Sequence, residues 1–157
     1  MAGGLWAVFW DGPLDGDTRT ALAERLGPED RARFAAFPSG CGKPTERGRQ
    51  FLLSRALLAF ALEETLGGRE PPSLAKDAGG RPFLPAWPGL FLSLSHTAGA
   101  AVLAALRGAE EAAGGGGPLR KLGADVCPIP LGPGFAAAVC GEGDFPLRIV
   151  TMEELAE

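Results

Sequence analysis

The chain has little of what most catalytic and metal sites are built from. It contains one histidine, His96, and three cysteines. Cys41, Cys127 and Cys140 are odd in number and widely spaced, with no CxxC pair and no zinc-type spacing. That pattern excludes a disulfide framework and the usual structural zinc sites, and buried or free thiols are expected. No GxSxG elbow is present, so an esterase-type nucleophile has no support. The opening "MAGGLWAVFWDG" has no basic leader and too short an apolar run for a signal or a span, so cytoplasmic location is expected and no membrane partner. There is no excess of positive charge either. Lys and Arg number 15 against 19 Asp and Glu, a net charge of −4, which gives no overall pull toward nucleic acid or an anionic membrane. Any anion must be held by a local group of arginines. No internal repeat at a fixed period is present.

What is there suits a folded domain with long loops. Hydrophobic residues make up 46% of the 157 positions, and 24 glycines and 14 prolines punctuate them. The length fits one domain or two small halves that share a core. "LWAVFW" (Leu5 to Trp10) reads as a buried strand. "DTRTALAERLG" reads as a helix capped by Asp17 and stopped at Gly27, and "PEDRARFAAF" as a second with Pro28 in first position. After the loop "PSGCGKPTERG" comes the strongest helix, "ERGRQFLLSRALLAFALEETLG", ending at Gly67 or Gly68. Leu53, Leu57, Phe60 and Ala61 share its main apolar face, and Phe51, Leu52, Leu58 and Leu62 widen it, which predicts a central position.

"LFLSLSH" alternates and turns through "TAG" into the apolar "AAVLAAL", a predicted β-hairpin. "RGAEEAAGGGGPLRK" has linker composition. "ADVCPIPL" and "GFAAAVCG" read as strands around a "GPG" turn, and "LRIVTMEELAE" as a last strand with a frayed end. The predicted order is β-α-α-α-β-β-linker-β-β-β, an α+β fold. Residues 1–108 form its main half, 109–122 the linker and 123–157 a smaller C-terminal part.

"SGCGKPT" (Ser39 to Thr45) looks like part of a P-loop but is not one. The first glycine of GxxxxGK[ST] falls on Phe37, and Pro44 stands where the magnesium-binding hydroxyl belongs. Its helix start, with Lys43, Arg47 and Arg49 close in sequence, still suits a phosphate. His96 ends a strand between Ser95 and Thr97, with Arg81 at the head of the same segment. Imidazole, hydroxyl, amide and guanidinium donors together suit a phosphate. A Ser95–His96 nucleophile–base pair is excluded, because strand neighbours point to opposite faces. Asp125, with Cys127 on the same strand face, is the candidate metal ligand, although one carboxylate alone is a weak magnesium site.

Taken in order, "GRQFLLSRALL", "GRPFL", "LSLSHT" and "GPGFAAAVC…DFPLRIVTMEEL" resemble the 4′-phosphopantetheinyl transferases of the long, Sfp-like type over roughly residues 5–106 and 131–155. The resemblance implies that family's α+β fold, with a largely complete N-terminal half and a truncated second half. It implies transfer of phosphopantetheine from coenzyme A to a serine of an apo acyl or peptidyl carrier protein, with Mg²⁺. It places Arg81, Ser95, His96 and Thr97 at the phosphates of coenzyme A, and Arg31, Arg33 and Arg49 in phosphate-contacting regions. The family arginine before the "LL" of the central helix falls on Gln50, one step from Arg49.

The family's two acids after the hairpin, in "G(I/V)D(I/V)E", have one candidate here. "GADVC" keeps Asp125 and puts Cys127 at the second acid. In the other alignment, which explains the C-terminal match better, "ADVCPIPLGPGFAAAVC" is the family's last two strands and the metal segment is missing. The helix "WxxKE(A/S)xxK" has no counterpart. Three readings stand. The chain is a compact transferase, self-associating to complete its site; or a binding module for coenzyme A or a carrier protein that does not transfer; or an internally shortened gene product.

Overall fold

The computed structural model describes residues 3–40, 43–68, 70–107, 123–128, 135–140 and 146–157. The aromatic opening forms β1 (Gly3–Phe9), followed by α1 (Gly16–Glu24) and α2 (Pro28–Ala35). Asp15 caps α1: its carboxylate accepts from the Thr18 backbone N–H at 2.8 Å and from the Thr18 hydroxyl at 2.7 Å. Asp17, the cap expected from sequence, is already helical and meets the positive end of the helix dipole from the first turn. Gly27 does not stop α1, which closes at Arg25; it is the extended N-cap of α2, ahead of Pro28 at the predicted first position.

The loop before the central helix forms a minimal antiparallel pair, β2 (Ser39–Gly40) with β3 (Lys43–Pro44). Thr45 then caps α3 (Glu46–Leu66), and its hydroxyl accepts from the Gly48 N–H at 3.3 Å. Gly67 ends α3 at φ +69°, a left-handed conformation that a side chain would strain. Leu52, Leu53, Leu57 and Leu58 are fully buried along α3, as its wide apolar surface predicts. Phe60 is only half-buried: the guanidiniums of Arg25 and Arg148 lie over its ring at 5.9 and 5.8 Å and take the place of apolar neighbours.

β4 (Ala75–Lys76) and β5 (Pro82–Phe83) make a second small pair. The predicted hairpin is β6 (Leu90–Thr97) with β7 (Ala100–Arg107), in register from Leu90↔Arg107 to Thr97↔Ala100. Its turn depends on Gly99 at φ +83°. β8 (Gly123–Pro128) and β9 (Phe135–Cys140) pair antiparallel, and β8 runs against β6 and β7. The glycine-rich segment 109–122 and the "GPG" turn lie outside the described residues. β10 (Leu147–Val150) leads into α4 (Met152–Ala156). The tail read as frayed is therefore helical. Thr151 and Glu154 form a reciprocal capping box, and Leu155 reaches the core with no exposed surface.

The main sheet has the order β10-β1-β7-β6, with β10 parallel to β1 and the other pairs antiparallel. Its first face carries Trp6, Val8, Leu92, Leu103 and Val150, which join the buried side of α3 in one core. The indole N–H of Trp6 donates to Glu64 of α3 at 2.9 Å, which ties β1 to the helix. The second face holds a smaller cluster of Ala7, Ala100 and Val102. The fold is α+β. No helix among the described residues is long and apolar enough to cross a membrane.

Candidate functional site

His96 shares its sheet face with Leu92 and Leu94, both of which pack in the α3 core. Alternation therefore turns the imidazole toward α3, at the end where the helix begins. Its Nδ1 lies 2.9 Å from Gln50 Oε1 in the first turns of α3, which partly desolvates the ring while the residue keeps an exposed outer edge. The turn after His96 is tied to the same place. The Gly99 backbone N–H donates to Glu46 Oε1 at 3.0 Å, so one carboxylate links the hairpin turn to the first residue of α3. Arg49 locks that carboxylate, donating to Glu46 Oε2 through Nε at 2.9 Å and Nη2 at 2.7 Å, while its Nη1 donates to the Pro44 carbonyl at 2.9 Å.

The surroundings are rich in guanidinium groups. Arg33 and Arg55 both lie over the Phe51 ring, 5.4 and 5.2 Å from its centroid. Arg55 pairs with Asp30 at 3.4 Å, both largely buried. Arg47 is exposed and has no carboxylate partner among the described residues. Counting the pairs, four arginines (33, 47, 49 and 55) meet two carboxylates, Asp30 and Glu46. A chain of net charge −4 thus keeps a local positive excess here. The imidazole registers it: desolvation first, then Arg55 and Arg47, push the His96 pKa below its usual value. An open cleft of about 710 Å³ adjoins the site, lined by Arg33, Phe37, Pro38, Thr45, Glu46 and Arg47. That is within the size range of small-molecule sites.

The residues singled out from sequence divide into groups. His96, Arg49 and Arg33 meet around the start of α3. Arg49 is engaged with Glu46, so it organises the site more than it faces solvent. Arg31 donates to the carbonyls of Ala23 and Glu24, both at 3.0 Å, and thereby caps the end of α1. Arg81 sits in the β4–β5 turn. Its backbone N–H donates to Asp77 at 2.9 Å, and its side chain is exposed with no ion pair among the described residues. Ser95 and Thr97 face away from His96, on the side of the sheet where their partners Val102 and Ala100 form the second cluster. Asp125 pairs with Ala138 in the β8–β9 ladder; its side chain lies outside what the structure describes.

The family models and the curated proteins contain no match to this chain. The site's reading therefore rests on its own chemistry. A second cleft, of about 510 Å³, is lined by Glu24, Glu63, Glu64, Glu70, Glu154 and Glu157 against one arginine, Arg25, and has the wrong sign for a phosphate. Sequence reasoning passed over Arg55 and the pairing of Gln50 with His96. Arg55 was findable, since Arg47, Phe51 and Arg55 follow one another at helical i, i+4 spacing. The Gln50 contact joins positions 46 apart and leaves no local signal.

Proposed function

We propose that this protein is a 4′-phosphopantetheinyl transferase-like protein that binds the phosphates of coenzyme A where β6 meets the first turns of α3. The observation that carries the reading is the docking of the only histidine onto Gln50 beside Arg47, a cation with no carboxylate partner among the described residues. Arg33 and the cleft beside Arg47 add charge and room for the rest of the molecule. A guanidinium can bind phosphate through two parallel N–H groups, and a helix start adds backbone donors and a favourable dipole. Arg81 belongs to the proposal by the sequence resemblance alone, while Ser95 and Thr97, on the opposite face of β6 from His96, stand outside this grip.

The resemblance also implies Mg²⁺. Among the described residues no group of three His, Cys, Asp or Glu side chains is placed to hold a metal, and Asp125 contributes only its backbone to the described structure. Binding and transfer separate at this point. Transfer would move phosphopantetheine from coenzyme A to the serine hydroxyl of a carrier protein, breaking the pyrophosphate P–O bond and releasing 3′,5′-ADP. The binding-module reading keeps only the phosphate grip.

Equilibrium dialysis with coenzyme A tests the grip. Wild-type protein retains the ligand, and Arg47→Ala weakens retention by about tenfold or more, the size expected for a charged hydrogen bond. Unchanged retention in Arg47→Ala rules out the assigned site. Intact-mass measurement of an apo acyl carrier protein, incubated with this protein, coenzyme A and Mg²⁺, tests transfer. A gain of one phosphopantetheine group supports the enzyme; retained coenzyme A with no mass gain supports the binding module.

A further inference from the structure

The hydrogen bonds around Gln50 fix more than its position. A glutamine amide has one accepting end and one donating end. Its Nε2 faces Glu46 Oε1 at 3.5 Å and its Oε1 faces His96 Nδ1 at 2.9 Å. The opposite orientation would set the amide oxygen against a carboxylate oxygen. Glu46 cannot rotate away to accommodate that, because Oε1 also accepts from Gly99 N–H and Oε2 is held by Arg49. The amide orientation, and with it the imidazole tautomer, follows from this network. Nδ1 must carry a hydrogen to donate to Gln50. In the neutral ring Nε2 is then a bare lone pair at the exposed edge.

A lone pair repels a phosphate oxygen. We propose that Gln50 is a positioning residue that holds His96 in the Nδ1–H form, so that an anion bound beside Nε2 must bring a proton onto that nitrogen. Binding of a phosphate-bearing ligand is in this way coupled to proton uptake. This rests on the reading of the site as an anion grip and adds its regulation by pH.

The charged and titratable groups on the elements packed around β6 are few, and Arg55 and Arg47 are the ones that act on the ring. From α3 these are Arg47, Arg55, Glu46 and Arg49, the last two paired with each other; from α2, Arg33 and Asp30, the latter paired with Arg55. β7 opposes His96 with Ala101, which does not titrate. β8, which runs against β6, carries Asp125 and Cys127. With no anion present, burial, Arg55 and Arg47 hold the imidazole below its usual pKa, so it is mostly neutral at pH 7. An anion reverses the local field, offers an acceptor to Nε2–H and raises the pKa. Between the free and bound pKa values the complex holds one more proton than the separate partners. Affinity therefore falls as pH rises, approaching tenfold per pH unit.

Because His96 is the only histidine, two measurements on the intact protein reach it without ambiguity. The first is the ring ¹⁵N spectrum of the free protein at pH 8. The expected result is a protonated Nδ1 and a bare Nε2, with mixed tautomers in Gln50→Leu. A wild-type ring protonated mainly at Nε2 overturns the proposal. The second is the same ring ¹⁵N spectrum followed while inorganic pyrophosphate is added at pH 7.5. The expected result is that Nε2 gains a proton as pyrophosphate binds, whether the proton comes from solvent or from the ligand. Binding that leaves Nε2 bare overturns this inference and leaves the proposed function standing, whereas pyrophosphate that fails to bind at any pH from 6 to 8 overturns both.

Discussion

His96 titrates as the only imidazole of the chain, so the pH dependence of stability near neutrality reports chiefly on one side chain. Folding holds its pKa below the ordinary 6.5, through burial and then Arg55 and Arg47. Between that lower value and 6.5 the unfolded chain binds more protons than the folded one. Stability is therefore complete above about pH 6.5 and is lost as pH falls through the folded-state pKa. Thermal unfolding followed by circular dichroism should show a midpoint that declines from pH 7.5 to 5.5. The decline should be smaller in His96→Gln, and a wild-type midpoint that rises on acidification contradicts this. The alternation of "LFLSLSHT" made it legible that His96 and Ser95 face opposite ways. Which of the two faced α3 was not legible, because that depends on tertiary packing, and neither was the amide that would meet the ring.

The elements were readable where their end signals are local. Thr45 and Gly67 bracket α3 as a polar N-cap and a left-handed glycine. Thr45→Ala should cost about 1 kcal/mol in urea unfolding, the usual loss for a capping hydroxyl. Leu57→Ala, at a fully buried position of α3, should cost about 2–5 kcal/mol by the same measurement. α4 escaped the sequence reading because "MEELAE" is short and mostly charged, and propensity alone does not hold so short a helix. Its stability comes from tertiary contact: Leu155 is fully buried, and Arg148 donates to Glu154 at 2.7 Å while also meeting Glu64 of α3. Leu155→Ala should therefore destabilise by about 2–5 kcal/mol although it lies two residues from the last. A loss below about 0.5 kcal/mol would return the tail to the frayed state its composition suggests.

At the scale of the whole molecule, β10 completes the sheet by pairing in parallel with β1 from the far end of the sequence. Parallel partners share no turn, so nothing local announces that pairing, although the strand itself was evident. Leu147 and Ile149 stay 58% and 55% exposed on β10, so polar replacements there should alter stability by no more than about 0.5 kcal/mol. Charge is distributed unevenly in the same way: −4 overall, with a positive excess gathered where α3 starts. Coenzyme A should consequently bind more weakly as salt is raised, despite the negative net charge, because the local cluster and not the total sets the attraction. The most direct test of the site is titration of coenzyme A into the protein while the ring nitrogens of His96 are followed by NMR at pH 6.5. The expected result is a saturable shift of those resonances, with a midpoint that moves to about tenfold or more higher coenzyme A in Arg47→Ala. Ring resonances that stay fixed while coenzyme A is added to saturating concentration would contradict it.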